Sequence, residues 1–127
     1  MAVRIAFFDA KSYDIKSFDT VNKDYNFDIR YYQERLSIST VPLAKDADVV
    51  CIFVNAECDA RVIDELVKNG VKLIALRCAG FNNVDLKAAE GRIKVTRVPA
   101  YSPHAVAEYA VALMLSLNRK IYRAVHR

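Results

Sequence analysis

The sequence predicts an α/β protein: an open, parallel, five-stranded sheet of flavodoxin-like order, with helices on both faces and a long helix at its end. Strand-like and helix-like segments alternate along the chain, residues 49–54 form a continuous apolar run, and a glycine-containing turn follows a second apolar run at residues 71–76. Such alternation is typical of parallel sheets with right-handed crossovers, and an all-apolar strand is typical of a central position.

The first half of the chain supplies three strands and one helix. Residues 3–7 alternate in polarity and predict a strand that stops before Asp9. A helix then begins at Ser12 as its cap, with one apolar stripe formed by Ile15, Phe18 and Val21. Residues 27–31 alternate strictly and suit an edge strand, and residues 49–54 suit a central one.

The second half repeats the alternation. A helix opens at Asp59 and ends at Asn69-Gly70, and residues 73–76 form the next strand. A short helix follows Asp85 as its cap, and residues 93–98 form a last strand, weaker and nearer an edge.

The last segment is a helix that outgrows the domain. Ser102-Pro103 is a good helix start, and residues 106–117 are apolar nearly all round. A helix from there to Arg127 would be about 37 Å long at ~1.5 Å per residue, against a radius of gyration of ~13 Å for a ~100-residue domain. We therefore expect a further domain or a partner subunit to cover it.

Composition excludes several classes of function. The 127 residues suit one domain, and the charged residues behind the net charge of +4 are interspersed, so we expect no nucleic-acid role. The one exception is the basic end at Arg119-Lys120, Arg123 and Arg127, which could contact a nucleic acid but is more often a solvated helix face. Because residues 1–4 lead directly into a strand pattern, we expect no signal peptide, and the apolar run 105–117 is too short to span a membrane. Three cysteines without metal spacing indicate reduced thiols in a cytoplasmic protein, with two of them in or beside strands.

The turn at residues 77–85 carries the strongest functional signal. It lies at the carboxyl end of a buried strand, the edge at which open α/β sheets bind ligands. The N–H groups of Ala79 and Gly80 could hold a small carboxylate there, and the alternative is an ordinary loop that needs a glycine. Phe53 ends the central strand at this edge and could wall an apolar pocket, although a core phenylalanine is the commoner case. Tyr101 follows the last strand at the same edge and could offer its hydroxyl to a ligand, and a surface tyrosine is equally compatible with the sequence.

The sequence does not predict a complete set of catalytic residues. His104 has no local carboxylate to orient it, and a helix N-terminus disfavours the imidazolium form, so we do not predict a catalytic role. Because the only glycines are Gly70, Gly80 and Gly91, no glycine-rich dinucleotide loop exists, and no NAD is expected on this chain. No metal site is predicted either.

Three blocks of sequence resemble the amino-terminal domain of NAD-dependent D-2-hydroxyacid dehydrogenases, closest to the D-lactate dehydrogenase group. They are Val50-Cys51-Ile52-Phe53-Val54-Asn55, Leu76-Arg77-Cys78-Ala79-Gly80-Phe81-Asn82-Asn83-Val84-Asp85, and the run from Arg97 to Glu108. The resemblance covers the whole chain. It implies a substrate-binding domain over residues 1–101 and the start of an interdomain helix over 102–127, without the NAD-binding domain.

The resemblance also implies a function and its residues. The full enzyme would reduce pyruvate with NADH to D-lactate and NAD+, and would be a homo-oligomer. Ala79 and Gly80 would hold the carboxylate of the 2-keto or 2-hydroxy acid through their N–H groups. The other implied site residues line the methyl side of the pocket or shape the loop: Phe53, Tyr101, Phe81 and Asn82.

The sequence also departs from the family. The arginine, the histidine with its acidic partner, and the NAD loop of the family have no counterpart here, so we predict an inactive fragment with no catalytic residue. The alternative is a free-standing flavodoxin-like binding or interaction module. Two observations count against that alternative. A phosphoreceiver domain would need an acidic cluster after the first strand, where Asp9 stands alone, and a flavodoxin would need a phosphate-binding loop, which residues 9–12 do not form.

Overall fold

A computed structural model describes residues 2–99 and 103–119. Five strands form one parallel sheet: β1 (Arg4–Phe7), β2 (Asp28–Tyr31), β3 (Val49–Ile52), β4 (Leu73–Leu76) and β5 (Lys94–Thr96). Their order is β2-β1-β3-β4-β5, and every pairing is parallel. The predicted flavodoxin-like order is confirmed, with β2 and β5 at the edges.

In the described part of the chain, three helices connect strands: α1 (Ser12–Asn22), α2 (Ala60–Lys68) and α3 (Leu86–Ala89), with a 3₁₀ turn at Val41–Ala44 between β2 and β3. A fourth helix, α4 (Pro103–Arg119), follows β5. Asp59 and Asp85 cap α2 and α3 as predicted, because their carboxylates accept the N–H groups of Val62 and Ala88 at 3.1 Å.

The predicted cap of α1 was wrong by one residue. Lys11 is the N-cap, and Ser12 is the first helical residue. The Lys11 N–H donates to the Asp14 carboxylate at 2.9 Å. A side chain in the first turn of the helix thus accepts the backbone N–H of the residue that precedes the helix. The serine hydroxyl is not needed for this.

Helices cover both faces of the sheet, but unequally. The α2 face holds the main core, in which Val50, Ile52 and Ile74 of the sheet pack with Ile63 and Leu66 of α2. The α1 face holds a small cluster of Phe7, Ala10 and Cys51, and no residue of α1 is fully buried. Among the described residues, Ile15 of α1 packs against this cluster, which joins Phe7 of β1 to Cys51 of β3.

The helix α4 is exposed over residues 107–115. Its large apolar side chains there include Tyr109, Val111, Leu113, Met114 and Leu115, and Met114 is 64% exposed. No helix in the described part of the chain is long and apolar enough to cross a membrane. Large exposed apolar surfaces on a folded protein commonly bind a partner.

We expect the 127-residue chain to self-associate through α4, because the side chains of residues 107–115 would otherwise remain in water. Sedimentation velocity should show a mass that rises with concentration, and Met114→Glu should reduce that rise. As a control, Leu43→Glu changes an exposed leucine that is distant in sequence from α4, and it should leave the association unchanged. A chain that stays monomeric at all concentrations would contradict this expectation.

Candidate functional site

The β4–α3 loop, residues 77–85, lies at the carboxyl edge of the sheet beside the end of β3. Two contacts join these neighbouring segments: the Cys58 N–H donates to the Asn83 carbonyl at 3.1 Å, and the Asp85 N–H donates to the Cys58 carbonyl at 3.0 Å. The Asn83 amide nitrogen donates to the carbonyls of Phe53 and Ala56 at 3.1 and 3.2 Å. The loop is therefore fixed at its far end to the segment that follows β3.

The carbonyl groups at the start of the loop are all turned toward protein donors. The Val98 N–H donates to the Cys78 carbonyl at 3.2 Å. The Arg97 guanidinium donates to the Ala79 carbonyl at 2.9 Å, and the Cys78 thiol donates to the Gly80 carbonyl at 3.3 Å. Three successive peptide groups thus have their acceptor side occupied.

The N–H groups of residues 79–82 have a different environment from these carbonyl groups. Within residues 2–99 and 103–119, the N–H groups of Ala79, Gly80, Phe81 and Asn82 donate to no protein group. Gly80 and its two successors are also exposed. Exposed N–H groups without an acceptor among the described residues can donate to water or to an anion, and such a donor costs no side-chain ordering.

Gly80 is not required by its own backbone. Its φ lies outside the left-handed range, whereas Gly70 and Gly91 have φ of +84° and +73°. A Cβ built on Gly80 would meet no described atom within 4 Å. Neither backbone strain nor packing against the described residues accounts for a glycine at this position.

Phe53 connects the loop to a neighbouring cleft. Its carbonyl accepts from Asn83, and its half-buried ring lines a cleft of about 610 Å³, which is also lined by Asp14 and Phe18 of α1. Arg77 and Val98 also line this cleft, whereas Ala79 and Gly80 are not among its described lining residues. The row of N–H groups at residues 79–82 and the cleft are therefore two adjoining features of one sheet edge.

Arg77 holds three segments of that edge together. Its guanidinium donates to the carbonyls of Phe8 and Asp9, beyond β1, at 2.9 and 3.1 Å. It also lies over the rings of Phe7 and Phe53, at 4.2 and 5.2 Å from their centroids. The side chain is only 10% exposed, so these contacts occur largely out of water.

Comparison with known proteins decides the family. A model of the catalytic domain of the D-isomer specific 2-hydroxyacid dehydrogenases matches residues 5–125. The chain belongs to this dehydrogenase family.

Individual relatives agree. The dehydrogenase domain is 58% identical over 126 residues to 2-hydroxyacid dehydrogenase homolog 1 of Schizosaccharomyces pombe, and the match covers 98% of this chain and 38% of that protein. The apo-structure of D-lactate dehydrogenase from Escherichia coli matches with 48% identity and a TM-score of 0.85, over 98% of this chain and 40% of the other.

A more distant structure was solved with NAD. It is the NAD complexed form of the D-isomer specific 2-hydroxyacid dehydrogenase from Lactobacillus delbrueckii ssp. bulgaricus, with 29% identity and a TM-score of 0.76. That match covers 98% of this chain and 38% of the other. The dehydrogenase domain described here thus spans about two fifths of the length of these relatives.

The structure places most of the predicted site residues at one edge of the dehydrogenase domain, and their binding role stays a prediction. Tyr101 lies outside the described residues. The others follow β3 or β4 directly: Phe53, Ala79, Gly80, Phe81 and Asn82.

Three residues that position this edge were missed by sequence reasoning: Arg77, Asn83 and Arg97. Asn82 was named, but its neighbour Asn83 makes the two contacts that fix the loop. For Arg77 the sequence did contain a signal, because the residue directly follows a buried strand. A charged side chain at such a position needs polar partners.

The three thiols are buried in the dehydrogenase domain. Burial raises the pKa of Cys58 to about 12, with a smaller contribution from the Asp59 charge. Burial also raises the pKa of Cys51, although the nearby Arg77 guanidinium acts in the opposite direction. Both thiols therefore resist ionisation, and neither has the lowered pKa of a nucleophilic cysteine.

We expect alkaline pH to destabilise the domain through Cys58. An unfolded thiol ionises near pH ~8.5, so the folded state holds its proton more tightly. The stability due to Cys58 is fully present below that pH and is lost as pH rises toward 12. Between pH 8 and 10 the loss should reach roughly 2 kcal/mol at most. Urea unfolding should show a smaller loss for Cys58→Ala than for the unchanged chain, and equal losses would refute the assignment.

Proposed function

We propose that this chain is the substrate-binding domain of an NAD-dependent D-lactate dehydrogenase, which reduces pyruvate to D-lactate with NADH. The observation that carries the proposal is that the N–H groups of Ala79 and of the exposed Gly80 have no acceptor among the described residues. Family membership supports it, because a 2-hydroxy acid has the small carboxylate that such N–H groups bind.

The described residues have separate tasks in this proposal. Ala79 and Gly80 donate to the substrate carboxylate. The contacts of the Cys78 and Ala79 carbonyls with Val98 and Arg97 hold the peptide groups of these two donors in place before the substrate arrives. The ring of Phe53 lies against the methyl side and excludes water, and Tyr101 shares that role. Phe81 and Asn82 shape the loop. These residues bind and orient the substrate, and none of them moves a proton.

The residues of this chain do not fit NAD. A dinucleotide needs a glycine-rich turn after a strand and a helix N-terminus free for its pyrophosphate. The turn after β1 instead contains Asp9, which pairs with Lys11 at 3.0 Å, and Asp14 occupies the first turn of α1. Both carboxylates would repel a pyrophosphate. We therefore assign NAD and the proton-transfer groups to a separate NAD-binding domain of the same protein.

The remaining assignments follow from this proposal. Residues 1–101 form the substrate-binding domain, and residues 102–127 begin the helix that leads to the NAD-binding domain. The 127 residues alone have no dehydrogenase activity, and the whole enzyme is a homo-oligomer. Three buried thiols suit the reducing cytoplasm.

The test is an assay of the whole protein that contains this chain. NADH oxidation should be fastest with pyruvate among small 2-keto acids, and the product should be D-lactate by enantiomer-specific analysis. The purified 127-residue chain, assayed in parallel, should show only background oxidation. A whole protein that oxidises NADH with no 2-keto acid would overturn the proposal, and a preference for a different keto acid would overturn its lactate assignment.

A further inference from the structure

Arg97 follows β5 directly and reaches across to the β4–α3 loop. Its Nη1 atom donates to the Ala79 carbonyl at 2.9 Å, with a longer contact of 3.5 Å to the Pro99 carbonyl. The guanidinium also lies over the Phe81 ring, 4.9 Å from its centroid. The side chain thus contacts the loop on both sides of Gly80, although Arg97 itself is largely exposed.

The geometry of a trans peptide gives this contact a consequence. The carbonyl of Ala79 and the N–H of Gly80 belong to one planar unit and point in opposite directions. No cis peptide bond occurs in the described chain. A donor that holds the Ala79 carbonyl from one side therefore directs the Gly80 N–H toward the other side, where no described group accepts it.

The charge of the guanidinium adds to the orientation. A cation that donates to a carbonyl polarises the whole peptide group, because hydrogen bonds in a chain strengthen one another. The Gly80 N–H therefore becomes a stronger donor, although the guanidinium does not contact the ligand. The carbonyls on either side are held by a neutral backbone N–H and a neutral thiol, so this polarisation is specific to the Ala79–Gly80 peptide.

We propose that Arg97 is a positioning residue that sets the direction and donor strength of the Gly80 N–H toward the substrate carboxylate. The inference rests on the proposed function, since it names what prepares the carboxylate site of that reaction. Arg97 contacts the carbonyl side of the peptide and acts through Gly80, so it is not a direct ligand of the substrate.

The chain offers a matched control in Arg92. That exposed arginine also donates to a backbone carbonyl, from its Nε atom to Ala88 at 2.9 Å, and pairs with Asp64 at 2.8 Å. It has the same chemistry as Arg97 but lies beyond α3, away from Gly80. Arg92→Gln therefore reports the effect of losing an exposed arginine and its carbonyl contact in general.

The experiment compares Arg97→Gln, Arg97→Lys and Arg92→Gln in the whole enzyme. We expect Arg97→Gln to raise KM for pyruvate about tenfold, the effect of one charge-assisted hydrogen bond, with a smaller change in kcat and none in KM for NADH. Arg97→Lys should recover part of the loss, because it keeps a charged donor. Arg92→Gln should match the unchanged enzyme.

Two further readouts separate positioning from mere stability. The ¹⁵N and ¹H shifts of the Gly80 amide should change in Arg97→Gln and stay unchanged in Arg92→Gln, while the thermal midpoints of the two variants agree. Unchanged pyruvate kinetics in Arg97→Gln, or a joint loss of pyruvate and NADH affinity with a lowered midpoint, would overturn the inference. Either result is distinct from failure of the proposed function, in which the unchanged enzyme would reduce no 2-keto acid.

Discussion

Replacing Gly80 with valine is expected to lower kcat/KM for pyruvate in the whole enzyme by roughly a hundredfold or more, about 3 kcal/mol of transition-state binding. The branched side chain would stand beside the N–H row where the carboxylate must approach. Affinity for NADH should not change, because the residues of this chain do not hold the dinucleotide. Steady-state kinetics with each substrate varied in turn measure both effects.

The stability of the same variant should be nearly unchanged. Gly80 has an ordinary φ, and a Cβ there meets no described atom within 4 Å. Gly91→Ala is the matched control with the opposite signature: at φ +73° a side chain costs about 1 kcal/mol of folding free energy and leaves pyruvate kinetics unchanged. Should Gly80→Val lower the thermal midpoint as Gly91→Ala does, with parallel loss of both substrates, Gly80 would be a structural turn residue only.

Replacing Arg77 with methionine is expected to cost about 3 kcal/mol of unfolding free energy. The change leaves the Phe8 and Asp9 carbonyls without their donor in a largely buried place, and each such loss costs ~1–3 kcal/mol. It also removes the cation from the faces of Phe7 and Phe53. Urea unfolding of the 127-residue chain measures the difference.

Arg35→Met is the control for this experiment. Arg35 pairs with Glu57 at 3.7 Å, and both side chains are about 60% exposed, so its loss should cost less than ~0.5 kcal/mol. If Arg77→Met were as mild as Arg35→Met, Arg77 would not hold the sheet edge together. In the whole enzyme, Arg77→Met should also raise KM for pyruvate, because Phe53 loses the cation beside its ring.

The sheet could be predicted because its signals are local. Polar and apolar residues alternate over residues 27–31, as in an edge strand with one face in water. Residues 49–54 are all apolar, as in a central strand covered on both faces. The carboxyl-edge position of Gly80 followed from strand direction alone. Asp59 and Asp85 were recognisable as caps because a cap and its helix are adjacent in sequence.

The contacts that fix the site could not be predicted, because their partners are distant in sequence. Arg77 donates to a carbonyl 69 residues earlier, and the Arg97 side chain reaches a carbonyl 18 residues earlier. A carbonyl acceptor leaves no trace in residue type, so neither pairing can be read from composition or spacing. The choice between Asn82 and Asn83 depended on the turn geometry of the loop, which two identical side chains cannot reveal.

The three glycines of the chain provide a direct probe of whether the N–H groups at Ala79 and Gly80 bind the substrate carboxylate, as proposed. They give three amide signals after ¹⁵N-glycine labelling, from Gly70, Gly80 and Gly91. Titration of the 127-residue chain with pyruvate should shift the Gly80 signal in a saturable way at millimolar concentration, an affinity worth no more than ~4 kcal/mol. The signals of Gly70 and Gly91 should stay in place, and acetone, which lacks the carboxylate, should shift none of the three. A Gly80 signal that does not move, or three signals that move alike, would contradict the account.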